Sequence, residues 1–558
     1  MTVVQIYPEN YPNPIHAYLG IPYALPPIGS RRFAPPEKHP GWNKTLYAAN
    51  IPPNCPHLPS KRSSAIEQHQ SRSYDSDTQS EDCLYLNIWT PVISKRMMNT
   101  RIPVLVFFDG NHYTNVNDLH PIPGQDLAAE GIVVITANYR LNVFGFLCFG
   151  NHESRGNMGL FDQYMVLLWI QENISQFGGD PNIVTFMGYS SGATSILYHL
   201  TSPRTKDLFS HVILMSSDSS ALINNYEYLS YQEHVINNSL QIAQKVGCPI
   251  SDQRHTLQCL RYNTSTQKLL SAFEGIYSNN EKAHNNYIPM LGPIVDNFLP
   301  SKDQYIIQNP LEAFKHGQLW NIPILIGFNN LEVINVLYDA PIIEQIKLIQ
   351  KTTQPIYFYI FTYSDAYDLN VYHFNFTGSI HGNDLPYLFG PTLFQQITRR
   401  RPKIIEKYLM KQMKALWSNF IKIGHPTVQV FNTSQWRPFN DNSYIQIIGA
   451  SSLSQNQFEP NDKTNFNVDL YLHDITFWND YLIKFIRDSY QLCKLSSSYF
   501  IQNNFTIDAF KNNNHHTQIY RHATYTLTGL VIALLILLFI CIVLIKQRSK
   551  ERFNNIDF

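Results

Sequence analysis

The sequence predicts an α/β fold built on a largely parallel sheet covered by helices. Three observations carry this. Short, continuous apolar runs of strand length alternate with longer helical stretches, as they do where strands are buried on both faces. One β-branched run leads directly into a G-x-S-x-G turn and then a helix. The 558 residues, 44% apolar and 13% aromatic, suffice to bury a large core and exclude a disordered chain.

In chain order the expected strands are Val104–Phe108, Val133–Thr136, Val184–Met187, Val212–Met215, Ile322–Ile326 and Ile356–Phe361. Each is rich in Val, Ile and Phe and bounded by turn residues. Met158–Phe177 reads as a helix. No internal repeat is visible. Lys494–Thr524, rich in Asn, Ser and His, reads as a stalk. Residues 525–545 follow as a membrane span, with an uncharged core at Leu527–Ile545. At 1.5 Å per residue that core roughly crosses a ~30 Å hydrocarbon layer. Lys546, Arg548, Lys550 and Arg552 behind it place the tail, 546–558, in the cytoplasm.

Charge excludes one class of function. Lys+Arg and Asp+Glu are both 42, so a nucleic-acid binder that neutralises many phosphates is not expected. The Arg399–Arg401 run reads as a solvated face. The seven cysteines show no spacing suited to zinc, and no cofactor is expected. The opening MTVVQIYPENYPNPIH has no apolar signal-peptide core. Seven N-x-S/T sequons, at Asn43, Asn173, Asn237, Asn263, Asn375, Asn432 and Asn504, point instead to an extracellular body whose export signal this sequence does not contain.

The chemistry centres on Gly188-Tyr189-Ser190-Ser191-Gly192. Two glycines permit a sharp turn that lifts the Ser190 hydroxyl to the C-terminal edge of the sheet, at the start of a helix. Around it, AYLGIPYALPP (Ala17–Pro27), RRFAPPE (Arg31–Glu37), EDCLYLNIW (Glu81–Trp89) and FGGDPNIVTFMGYSSG (Phe177–Gly192) together resemble the type B carboxylesterase family. That family includes carboxylesterases, cholinesterases and neuroligins. The resemblance runs from about His16 to Cys493 and implies an α/β-hydrolase fold for the domain 1–493, with the C-terminal transmembrane helix appended.

The same resemblance implies a triad: Ser190 as nucleophile, His381 in GSIHGNDLPYLFG as base and Glu332 in IPILIGFNNLEV as the orienting acid. The oxyanion positions implied are Gly110, Asn111, His112 and Ser191. Where the family has a His-Gly-Gly-Gly-type run, this chain has Asp109-Gly110-Asn111-His112-Tyr113. Two glycines are gone, which degrades a hole whose single donors are worth about 10²–10³ in rate. Tyr189 replaces a Glu usual before the Ser in these esterases. The Trp that binds choline in cholinesterases has no counterpart in 71–79.

Implied disulfides are Cys55–Cys83 and Cys248–Cys259. Cys148 reads as a buried thiol, Cys541 lies in the span, and Cys493 is expected unpaired. Strands before His16 are missing or unrecognisable. The stretch between Glu332 and Ile356 is shorter than the family pattern, which makes dimerisation doubtful.

The resulting expectation is a single-pass plasma-membrane protein, ectodomain outside. By its likeness to neuroligins it binds an extracellular, neurexin-like protein ligand, with esterase activity weakened or lost. The alternative is an active membrane-anchored enzyme hydrolysing small carboxylic esters. A cytosolic tail-anchored hydrolase ranks third. Asn555-Ile556-Asp557-Phe558 fits the pattern a PDZ domain accepts at Phe558, although chance matches to so short a motif are about three times commoner.

Overall fold

The computed structural model describes residues 3–8, 11–58, 79–92, 101–110, 112–114, 122–217, 231–282, 290–330, 339–353, 355–364, 379–427, 436–439 and 446–449. All belong to one compact unit, Met1–Asn479. The second unit, Asp480–Phe558, lies outside the described residues. So do Cys493, the stalk, Leu527–Ile545 and Phe558. Among the described residues no helix is long and apolar enough to cross a membrane.

Ten strands form one mixed sheet: β1 Val4–Ile6, β2 Ile15–Pro22, β3 Tyr85–Pro91, β4 Ile102–Phe108, β5 Val133–Ala137, β6 Gly179–Tyr189, β7 His211–Met215, β8 Ile324–Asn329, β9 Ile356–Phe361 and β10 Gln446–Ile448. Their order is β1-β2-β3-β5-β4-β6-β7-β8-β9-β10. β1, β2, β3 and β5 pair antiparallel in succession. From β5 onward every pairing is parallel.

The expected strands recur with shifted ends. Val184–Met187 lengthens to β6. The run expected at Ile322 starts instead at Ile324, because Pro323 has no amide to give the ladder. The segment before His16 does contain a strand: β1 pairs with β2 at Val4↔Ala17. Three residues at a sheet edge carry too little periodicity to be read from sequence.

Alternation along the strands builds two cores. Val104, Val106, Phe186, Leu214, Ile326 and Phe358 face one side, against the helix Met158–Asn173 and the helix Ser191–His199. Leu105, Phe107, Met187, Ile213, Leu325 and Tyr359 face the other, against the helix Ile404–Ile423 and the helix Leu385–Phe389. With both faces covered, the central strands show an unbroken apolar pattern.

The helix expected over Met158–Phe177 is α-helical to Asn173 and tightens to a 3₁₀ turn over Ile174–Phe177. It ends at Gly178, whose φ of 85° releases the chain into β6. Inside, Asp162 of this helix receives Arg140: Nε and Nη2 lie 2.7 Å from its two oxygens, and the Arg140 amide donates at 3.0 Å. Arg32 and Glu81, from two of the sequence motifs, form a second, largely buried ion pair. Arg32 also donates to the carbonyls of Leu260 and Thr264 at 2.9 and 2.7 Å. Cys55–Cys83 and Cys248–Cys259 are disulfides, and Cys148 is a free, buried thiol.

His199 closes the helix Ser191–His199 and is fully buried. Its Nε2 lies 2.8 Å from Gln163 Oε1, and its Nδ1 lies 2.6 Å from the Tyr305 hydroxyl. Both contacts suit a neutral ring in which Nε2–H donates and Nδ1 accepts. Burial pushes the imidazole down from 6.5 to about 3. Between those values the unfolded ring binds a proton and the folded one does not, so stability falls as pH drops below 6.5. At pH 5 the expected loss from this group is about 2 kcal/mol. Urea unfolding at pH 7 and pH 5 measures it. His199→Gln should flatten the dependence, and an unchanged slope in that variant would assign the acid sensitivity elsewhere.

Candidate active site

The sharp turn at the end of β6 exists as the sequence implies. Ser190 has φ 54° and ψ −126°, a strained conformation that persists because its surroundings determine it. The Ser190 amide donates to Met215 O of β7 at 2.9 Å, and the Ser190 carbonyl accepts from Thr194 N. Glycine is required on both sides of the serine. A Cβ at Gly188 would sit 2.5 Å from the backbone of Gly192 and Ala193, and one at Gly192 would sit 2.2 Å from Phe108 O. The helix Ser191–His199 then begins directly behind the hydroxyl.

The turn after β4 carries Gly110 and His112, two of the positions where the resemblance implies an oxyanion hole. Gly110 lies against the backbone of Tyr189, Ser191 and Gly192, and its amide donates to Asp109 Oδ1 at 2.9 Å. Asp109 O accepts from the Tyr139 hydroxyl at 2.8 Å. His112 and Tyr113 both take left-handed backbone, with φ 51° and 60°. Histidine thus adopts here the conformation for which glycine is the usual choice. The Tyr113 amide donates to Ser191 Oγ at 3.2 Å, and its ring is buried edge-on to Phe146. Asn111 lies outside the described residues.

His381 stands on the turn before the helix Leu385–Phe389 and is half-buried. Its ring packs against Tyr189, the residue before Ser190, at 4.8 Å between centroids. His381 therefore lies against the residue that precedes Ser190 in the chain. Glu332 lies outside the described residues.

A buried polar network behind His381 was not anticipated. Asp384 is fully buried. It accepts from the Tyr359 hydroxyl at 2.9 Å and from Asn329 Nδ2 at 3.2 Å. Ser379 Oγ donates to Asn329 Oδ1 at 2.9 Å, and the Ser379 amide donates to Asn330 Oδ1 at 2.8 Å. The ends of β8 and β9 are thereby tied to the His381 turn. The available signals were the Asn pair ending IPILIGFNN and the Asp three residues after His381. Neither becomes informative until both strands converge there. Among the described residues, no group of His, Cys, Asp and Glu side chains could hold a metal ion.

A serine on a strained strand-to-helix turn, at the C-terminal edge of a largely parallel sheet and with a histidine nearby, is the arrangement of an α/β-hydrolase. The chain belongs to the carboxylesterase family, whose model matches residues 5–339 and 333–466. The two stretches overlap at residues 333–339. Similar proteins include mouse cholinesterase, 29% identical over 498 residues covering 76% of this chain and 78% of that protein. Rat carboxylesterase 1D is 32% identical over 62% of this chain and 60% of its own length. The neuroligin-like protein glit-1 of Caenorhabditis elegans is 35% identical over 56% of this chain. The chain spans 41% of that protein's length.

Proposed function

We propose that this chain forms the carboxylesterase-type body of a single-pass cell-surface protein that works mainly by binding an extracellular protein ligand, with esterase activity weakened. The observation that carries this reading is the turn after β4. Bulky His112, at an oxyanion position implied by the resemblance, stands there at positive φ where the family has glycine. A hole that must present amides to a developing oxyanion is poorly served by this arrangement. Relatives named as neuroligins support the binding role, and a neurexin-like ectodomain is the partner to test. The uncharged run Leu527–Ile545 supports a membrane anchor.

The test uses cells displaying the full-length chain. Soluble neurexin-like ectodomain should bind them, and p-nitrophenyl acetate turnover should stay near background. Ordinary esterase rates that vanish in Ser190→Ala, without ligand binding, would overturn the proposal. They would favour the second reading, an anchored carboxylesterase acting on small esters. The retained strain at Ser190 is the observation behind that reading.

An extracellular body should also carry glycans. Asn43, Asn237 and Asn263 are exposed. Asn173 is half-buried, with its Nδ2 donating to Trp169 O at 2.9 Å. Peptide mapping after glycosidase treatment should find the first three occupied and Asn173 bare. Unmodified asparagine at all three exposed sites would count against an extracellular location.

A further inference from the structure

We infer that Tyr189 is a positioning residue for His381: its ring, delivered by the strand end that carries Ser190, is the shelf on which the imidazole rests. Tyr189 is 5% exposed, and its ring meets that of His381 at 4.8 Å with 35° between the planes. The next residue, Gly382, has φ 80°, and a Cβ there would lie 2.6 Å from the Tyr189 hydroxyl. The turn therefore closes down onto the tyrosine. The same turn is held by Asp384 on Tyr359 and Asn329, and by Ser379 on Asn329 and Asn330. The turn that carries the imidazole is thus anchored by buried polar contacts, and the imidazole itself rests on an aromatic ring.

The chemistry suits both protonation states of a base. A tilted aromatic pair at this distance attracts a neutral imidazole through its quadrupole. The same ring face attracts the imidazolium that forms when a base takes the Ser190 proton. A carboxylate at position 189 would offer charge but no surface for the ring. An aliphatic side chain would offer neither. The hydroxyl of Tyr189 is not needed for this role, so phenylalanine should replace it.

The kinetic consequence rests on the proposed reading that Ser190 keeps residual reactivity, whereas the packing does not. The experiment takes the full-length chain with ¹³Cε1-labelled histidine and assigns His381 by its loss in His381→Gln. In the wild type and in Tyr189→Phe, the His381 Hε1 resonance should show the same upfield ring-current displacement. In Tyr189→Leu that displacement should disappear. Fluorophosphonate labelling of Ser190 should fall about tenfold in Tyr189→Leu and stay within about twofold in Tyr189→Phe. An unchanged His381 resonance in a folded Tyr189→Leu would overturn the inference. So would a Tyr189→Phe variant as perturbed as Tyr189→Leu. If wild-type Ser190 takes no label at all, the reading of residual reactivity fails, and the resonance still decides the role of Tyr189.

Discussion

Changing Asn111 and His112 together to glycine is expected to raise p-nitrophenyl ester turnover by at least about 10²-fold, with the gain lost when Ser190 is also alanine. Two amide donors at the oxyanion are each worth about 10²–10³ in rate, and their joint loss about 5–8 kcal/mol. The strained serine turn is already in place, with Ser190 at φ 54°, and His381 stands against its neighbour. Glycine at 112 takes the φ of 51° observed there without a side chain in the way. Steady-state kinetics on the folded double variant decides the matter. No gain, with the protein folded, would place the defect in the triad rather than in the hole.

Breaking the ion pair under the sheet should give the largest loss of stability. Asp162 is fully buried and Arg140 nearly so, and three Arg140 groups converge on the carboxylate. Asp162→Asn leaves a buried guanidinium with an uncharged partner. A cost of about 3–5 kcal/mol is expected, visible as a lower urea midpoint. Arg140→Met with Asp162→Leu should lose less than the single change, because no buried charge is then stranded. Equal losses in the two proteins would show that packing, not charge, dominates at this position.

The site was partly legible in the chain. Ser190 could be read because the glycines on either side and the apolar run before them are local features that specify a turn by backbone sterics alone. Gly110 could be placed only through the family resemblance, which aligns Asp109–Tyr113 with a glycine run after a strand. The roles of Asp384 and Asn329 could not be read. Each is a common polar residue whose meaning comes from burial, and they are separated by 55 positions. Arg32 and Glu81 were visible within motifs, but nothing in either motif shows that one side chain holds the other and also the carbonyls of Leu260 and Thr264.

By itself the sequence determined the class of fold, the six central strands, the serine turn and the two glycines that permit it. All of these follow from periodicity and backbone freedom acting over a few residues. It also carried the uncharged run at Leu527–Ile545, whose length matches a bilayer. Only the tertiary structure decided that His112 takes a left-handed backbone, that the Tyr113 amide is spent on Ser191, and that Tyr189 lies beneath His381. The physical reason is range. A strand or tight turn is set by neighbours within a few positions. A site is set where the ends of β4, β6, β8 and β9 arrive together, and the short pieces of chain that meet there carry no local record of one another.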